Sequence, residues 1–210
     1  RLRNAINGDP TDPYARAPQY KRMGGGFKIG YGSGQNYIDL YMLRAYDCLS
    51  SIDEVWHSKV NAQENIVVGV KGQVTPFKWL SLTANAATSV FNTDKTMADV
   101  PVKTEFDKVF DVKYSSLMRF AGDVSANLML PGVTANISYR MVQPDYTSLG
   151  TYYMSNNYQS LGVTLGTVLF KRLALSATFS GQQDNLSKEQ MFTTCGYVYA
   201  ANASMRIGNH

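Results

Sequence analysis

No stretch of this chain approaches the ~18 consecutive apolar residues that a membrane-spanning helix requires, and the mean hydropathy is only −0.22. Helical spanning is thereby excluded. Spanning by β-strands stays open, because each strand of a membrane barrel carries a much weaker apolar signal. Charge is scarce too: Asp, Glu, Lys and Arg make up 17% of the 210 residues, against the ~25% usual in soluble domains. Histidine is limited to His57 and His210, and cysteine to Cys48 and Cys195. Two thiols without a CxxC spacing or a histidine cluster disfavour a zinc site, and no cofactor is implied. A Cys48–Cys195 disulfide would need two distant strands to meet in an oxidising compartment.

Nor is there a basic stripe with interleaved aromatics. Residues 1–28 hold six basic side chains against Asp9 and Asp12, which accounts for the whole formal charge of +4 and leaves the rest neutral. A nucleic-acid partner is therefore not expected. The opening RLRNAINGDPTDPYARAP has neither Met nor an apolar core, so it does not read as a signal peptide. It reads as the start of a mature or truncated piece, and the closing SMRIGNH does not look like a barrel terminus.

What the chain has in abundance is alternation. Leu161, Val163, Leu165, Thr167 and Leu169 are interleaved with Ser160, Gly162, Thr164, Gly166 and Val168. Successive strand side chains point to opposite faces, so the two sets are sorted onto two faces. The second face is Ser, Thr, Asn and Gly with an occasional Asp or Arg, as suits a polar lumen behind a lipid-facing wall. Fourteen tyrosines would supply interfacial girdles and seventeen glycines the turns and kinks.

The pattern predicts about nine strands: Phe27–Gly32, Tyr37–Asp47, Ile66–Val74, Trp79–Phe91, Val112–Leu130, Val133–Met141, Tyr158–Phe170, Leu173–Gly181 and Met191–Ile207. Short turns at 33–36, 75–78, 131–132 and 171–172 alternate with longer connections at 48–65, 92–108, 144–157 and 182–190. That regularity matches short periplasmic turns set against long extracellular loops. The expectation is an all-β, antiparallel up-and-down transmembrane β-barrel over residues 24–210, preceded by a polar extension or loop over 1–23. Bacterial single-chain barrels are even-numbered, so an odd count favours a piece of a larger barrel. Leu161, Val163, Leu165, Leu173, Leu175 and Phe179 are expected on the lipid side, and the polar segment 48–65 is expected to lie exposed.

The string YRMVQPDYTSLGTYYMSNN, followed after one strand by LFKRLALSATFSGQQDNL, resembles the barrel region of large outer-membrane proteins common in Bacteroidota. NYIDLYMLRAYDCLSSI and the later AQENIVVGV resemble the preceding hairpin of that group. The resemblance covers roughly residues 24–206. It implies a location, the Gram-negative outer membrane, and a fold, but no chemistry.

Few residues invite a site. Asp53, Glu54 and His57 sit within five residues, as a metal or acid/base cluster would, although a solvated loop is the plainer reading. Any catalytic triad rests on His57, and no GxSxG elbow is present. Glycines 24, 25, 26, 30, 32 and 34 lack the spacing and the Lys-Ser/Thr of a phosphate cradle. Asp39, Asp123 and Arg140 fall on the polar set, either tuning a lumen or pairing across strands. Tyr146, Tyr152 and Tyr153, with Asn156 and Asn157, could offer an aromatic and amide surface to a sugar or a partner protein. Girdle and loop packing is the simpler alternative.

The functional expectation is a non-enzymatic outer-membrane component acting in transport, surface binding or as an accessory subunit. Its partners would be outer-membrane lipid and other outer-membrane proteins. The rivals are a soluble β-barrel with an apolar ligand, and an outer-membrane hydrolase dependent on His57.

Overall fold

The structure is a computed structural model describing residues 1–205 except 10, 13, 102–111, 152 and 171. Nine strands form one antiparallel sheet in sequence order: β1 (Lys21–Ser33), β2 (Asn36–Cys48), β3 (Glu64–Phe77), β4 (Leu80–Asn92), β5 (Ser116–Leu130), β6 (Val133–Val142), β7 (Tyr158–Leu169), β8 (Leu173–Asp184) and β9 (Cys195–Met205). The sheet is all-β and up-and-down as expected. It is open rather than closed, with β1 and β9 as its two edges. Among the described residues helix is limited to two single 3-10 turns, Leu49–Ser51 and Glu54–Trp56. No helix among the described residues is long and apolar enough to cross a membrane, which says nothing of strands.

All four tight turns fall at one end of the sheet and all four long connections at the other. At Pro131-Gly132, Gly132 takes φ +80°, a left-handed conformation that glycine adopts without steric cost. Several boundaries differ from the sequence reading, as at β5, which starts at Ser116 rather than Val112, and three have a plain structural cause. Strand β3 runs on through Pro76 to Phe77, with a register shift between Val74 and Phe77. Proline has no N–H to give the ladder, so the strand bulges there and the turn moves to Lys78-Trp79. Strand β1 begins six residues early, at Lys21, because Arg22 exchanges backbone hydrogen bonds with Arg3 and pairs with Asp47. Strand β9 starts at Cys195 rather than Met191. The amide of Asn185 holds the carbonyls of Gln190 and Phe192 and the hydroxyl of Thr193, which keeps 190–194 out of the ladder.

Residue register places Ile38, Gly72, Ala84, Val124, Tyr139 and Leu161 in one row across β2–β7 on a single face. That face is apolar and, away from the long-connection end where Glu64 and Ile66 are buried, uncovered: Ile29 is 66% exposed, Leu165 51% and Tyr199 75%. Leu161, Val163, Leu165, Leu173, Leu175 and Phe179 all lie on it, by their register partners across β7 and β8. Phe77 and Trp79 stack on this face near the short turns, with ring centroids 5.0 Å apart.

Among the described residues, buried apolar side chains gather at the long-connection end alone. Tyr20, Ile52, Trp56 and Ala62 form one cluster, and Ala45, Phe91 and Leu149 a second. The first cluster corrects the expectation that 48–65 lies exposed with nothing to bury. The segment 1–9 folds across this connection: Gly8 lies against the Trp56 ring, and Asn7 exchanges hydrogen bonds with Asp53. The polar extension is therefore packed against the end of the sheet, and residues 21–23 belong to β1.

Candidate functional site: the polar face and the strap across it

The opposite face of the sheet is polar, and its side chains are organised. Asp39, Lys71, Asn85, Asp123, Arg140 and Ser160 are successive register partners across six strands. The three charged residues singled out from sequence, Asp39, Asp123 and Arg140, thus share one row. They do not pair with one another. Asp39 takes Lys28 from β1 at 2.8 Å. Asp123 accepts from the Asn85 amide at 3.2 Å, and the Asn85 carbonyl oxygen accepts from the Tyr41 hydroxyl at 2.8 Å. Strand β3 is skipped in this relay because Tyr41 lies flat over Gly69, where a Cβ would collide with the ring. Lys71 and Arg140 are exposed and make no ion pair among the described residues.

Above this row, toward the long connections, the polar face is covered by the β6–β7 connection, residues 143–157. Asn65 is fully buried and grips it in both directions: its amide donates to the Thr147 carbonyl at 3.4 Å and its carbonyl oxygen accepts from the Leu149 N–H at 3.1 Å. The Ser89 hydroxyl donates to the same Thr147 carbonyl at 2.5 Å. Arg119 donates to the Pro144 carbonyl at 3.0 Å and lies 3.6 Å from Asp145. Leu149 fills the gap between Ala45 and Phe91, and Gly150 abuts Leu43. The connection is a strap lashed down across β2–β5.

The aromatic and amide residues expected on this loop take different parts. Tyr146 is only 3% exposed. Burial, and secondarily the neighbouring Tyr41, push its hydroxyl above the ordinary phenol range. Asn156 donates to the Tyr146 carbonyl at 3.2 Å. Asn157, at φ +60°, accepts from Leu186 N–H at 2.7 Å and so ties the strap to the β8–β9 connection. Tyr153 is 80% exposed and stands apart, and Tyr152 lies outside the described residues. Tyr146, Asn156 and Asn157 thus shape the strap, and they do not form a common surface with Tyr153. Sequence reading missed Asn65, Ser89 and Arg119; a polar residue within an otherwise apolar strand start, as at Asn65 before Ile66-Val67-Val68, was the available signal.

A second polar node lies at the outer end of β1 and β2. The Asp47 carboxylate is 1% exposed and receives Arg22 through two bonds at 2.8 and 2.9 Å, Arg3 at 3.3 and 3.4 Å, and the Gln63 N–H at 3.1 Å. Desolvation and the neighbouring Arg22 lower the Arg3 pKa, and Asp47 works in the opposite direction. On the other face Glu64 is fully buried, with Arg44 binding only Oε1 and leaving Oε2 without a partner.

Asp53, Glu54 and His57 do not converge. Asp53 is engaged by Asn7, and the His57 ring lies 5.8 Å from that of Tyr20. Among the described residues no group of three metal-ligating side chains exists, and no hydroxyl or thiol is hydrogen-bonded to His57. His210 lies outside the described residues. Cys48 and Cys195 are both free thiols. Comparison with protein-family models, with curated proteins and with solved structures finds no match for this chain.

Proposed function

We propose that this chain is a wall of a Gram-negative outer-membrane β-barrel with a non-enzymatic role in transport, surface binding or as an accessory subunit. The observation that carries this reading is the inverted distribution of cover. Away from the long-connection end, where Glu64, Ile66 and Asn92 are buried, the apolar face of nine strands is bare, while the strap is folded onto the polar face. A sheet with one apolar face must bury it against something, and apolar patches larger than a few hundred Å² mark an interface or a membrane. Lipid on the apolar face and water on the polar face satisfy both sets of side chains without further layers.

In this arrangement the Asp39–Arg140 row borders an aqueous path, and the strap narrows that path at its long-connection end. Lys71 and Arg140 are then the charges most available to a passing solute. A hydrolase would need a nucleophile beside a tuned base held by a third group, and His57 instead packs on Tyr20.

The test is insertion. Refolded protein should require detergent for solubility, float with lipid vesicles and keep its β content there. A monodisperse monomer in plain buffer that ignores vesicles would replace this reading with the soluble barrel. Turnover of ester, peptide or glycoside substrates that disappears in His57→Ala would replace it with the hydrolase.

A further inference from the structure

The two edges of the sheet are treated differently by the sequence. Strand β1 is a guarded edge. At its long-connection end Leu2 and Arg3 donate their N–H groups to the Arg22 carbonyl at 2.9 and 3.3 Å, and Arg22 returns its N–H to the Arg3 carbonyl at 3.0 Å. Lys21, Arg22 and Lys28 add charge along the same strand. Among the described residues strand β9 has none of these protections. Its sequence, CGYVYAANASM, contains no charge and no proline, all eleven residues are exposed, and its register with β8 runs without a bulge. Natural sheets blunt free edges with charge, proline, bulges or a covering segment, because an open row of N–H and C=O groups invites pairing. An unguarded edge of this length is one that is meant to be paired.

Strand direction narrows the partner. Strand β1 runs from the long connections toward the short turns, and so does β9, since an odd number of antiparallel strands leaves both edges pointing the same way. Closing β9 on β1 would therefore make a parallel seam, and at Arg22 that seam would have to displace the bonds from Leu2 and Arg3. A second copy inserted in the same sense is related by an axis along the membrane normal, which preserves strand direction, so its edges are parallel to β9 as well. Parallel ladders are slightly weaker per residue, and bacterial single-chain barrels are antiparallel with even strand numbers.

We propose that the free edge of β9 is a docking edge for one transmembrane strand of opposite direction, supplied by neither β1 nor a second copy of this chain. The partner strand ascends from the short-turn end to the long-connection end. It alternates apolar residues in line with Tyr197, Tyr199 and Ala201 against small polar ones in line with Val198, Ala200 and Asn202. Its main-chain groups provide the attachment, as in strand addition generally. This inference rests on the membrane reading above.

Cys195 opens β9 and is an exposed free thiol, so it can report direction. The full chain carrying Cys48→Ser, inserted in lipid vesicles, is mixed under mild oxidation with a synthetic peptide of the β8 sequence Leu173–Asp184. One peptide carries Gln183→Cys near its C-terminus and the other Leu173→Cys near its N-terminus. An antiparallel partner brings the C-terminal thiol to Cys195, so the Gln183→Cys peptide should give at least a several-fold greater yield of mixed disulfide. Equal yields, an excess with Leu173→Cys, or no adduct while a small maleimide still labels Cys195 would overturn the proposal. So would Cys195–Cys195 dimers formed without peptide, because parallel pairing of two β9 strands sets those thiols at one level. A chain that never enters the vesicles overturns the membrane reading instead, and the two failures are distinguishable.

Discussion

The long-connection end of this molecule and the body of its strands obey different rules. At the long-connection end, residues 1–20, 49–63 and 143–157 close over the sheet and bury Tyr20, Ile52, Trp56 and Leu149, with Asn65 and Asp47 satisfied by hydrogen bonds. That is the organisation of a water-soluble core, in which buried polar groups are paired. In the strand body, beyond the strand ends that carry Ala45, Ile66, Val67, Phe91 and Val142, no described apolar side chain is buried, and Ile29, Leu40, Leu165 and Tyr199 project from an uncovered face. The difference teaches that the strands draw their order from main-chain ladders and from the surroundings on their two faces, whereas the strand ends draw theirs from contacts between distant segments.

Four experiments sharpen or break that contrast. The largest effect is expected at Asp47, which neutralises the buried Arg22. Asp47→Ala should cost about 3–5 kcal/mol, the range for leaving one partner of a buried ion pair alone. Denaturant titration would register it, and protease should then cut within residues 1–20. A loss felt equally along β7 and β8 would erase the distinction between the two regions.

In the strand body, Leu165→Arg should cost about 2–4 kcal/mol in bilayers if it sits near the midplane. Thr164→Arg, one residue away on the polar face, should be nearly silent. Equal penalties at the two positions would mean that the faces are not solvated differently.

Asn65→Ala removes the grip on the strap and leaves its backbone groups short of partners, at about 1–3 kcal/mol. Hydrogen exchange should quicken at the Leu149 amide, which donates to Asn65, and stay slow in the β7–β8 ladder. Unchanged protection at Leu149 would show that packing against Ala45 and Phe91 holds the strap without Asn65.

The smallest effect concerns pH. Burial raises the Tyr146 pKa above its unfolded value, so its contribution to holding the strap is complete below about pH 10 and is lost as pH rises through the raised value. Alkaline solution should thus open residues 143–157 to protease before the ladder melts. Tyr146→Phe should abolish that pH step, and a step that persists in the variant would assign it to another group.

How much of this was legible beforehand differs between the same two regions. The order of nine strands, the alternation of short and long connections, and the common face of Leu161, Leu165 and Phe179 follow from a period-two pattern and from turns such as Pro131-Gly132. The common row of Asp39, Asp123 and Arg140 was half legible. Their placement on the polar set was evident, but their shared level depends on register, which accumulates through every turn between them.

The strands and their two faces are written locally, because side-chain alternation is a property that any ten residues display. It took the folded chain to make Ile52 and Trp56 core rather than exposed loop, to let Asn65 seize residues 147 and 149, and to bring Arg3 across to Asp47. The Arg3–Asp47 and Asn65–Leu149 contacts join residues 44 and 84 positions apart. No local pattern encodes them, since their stability comes from burying distant groups together once the ladder has already set where each connection begins and ends.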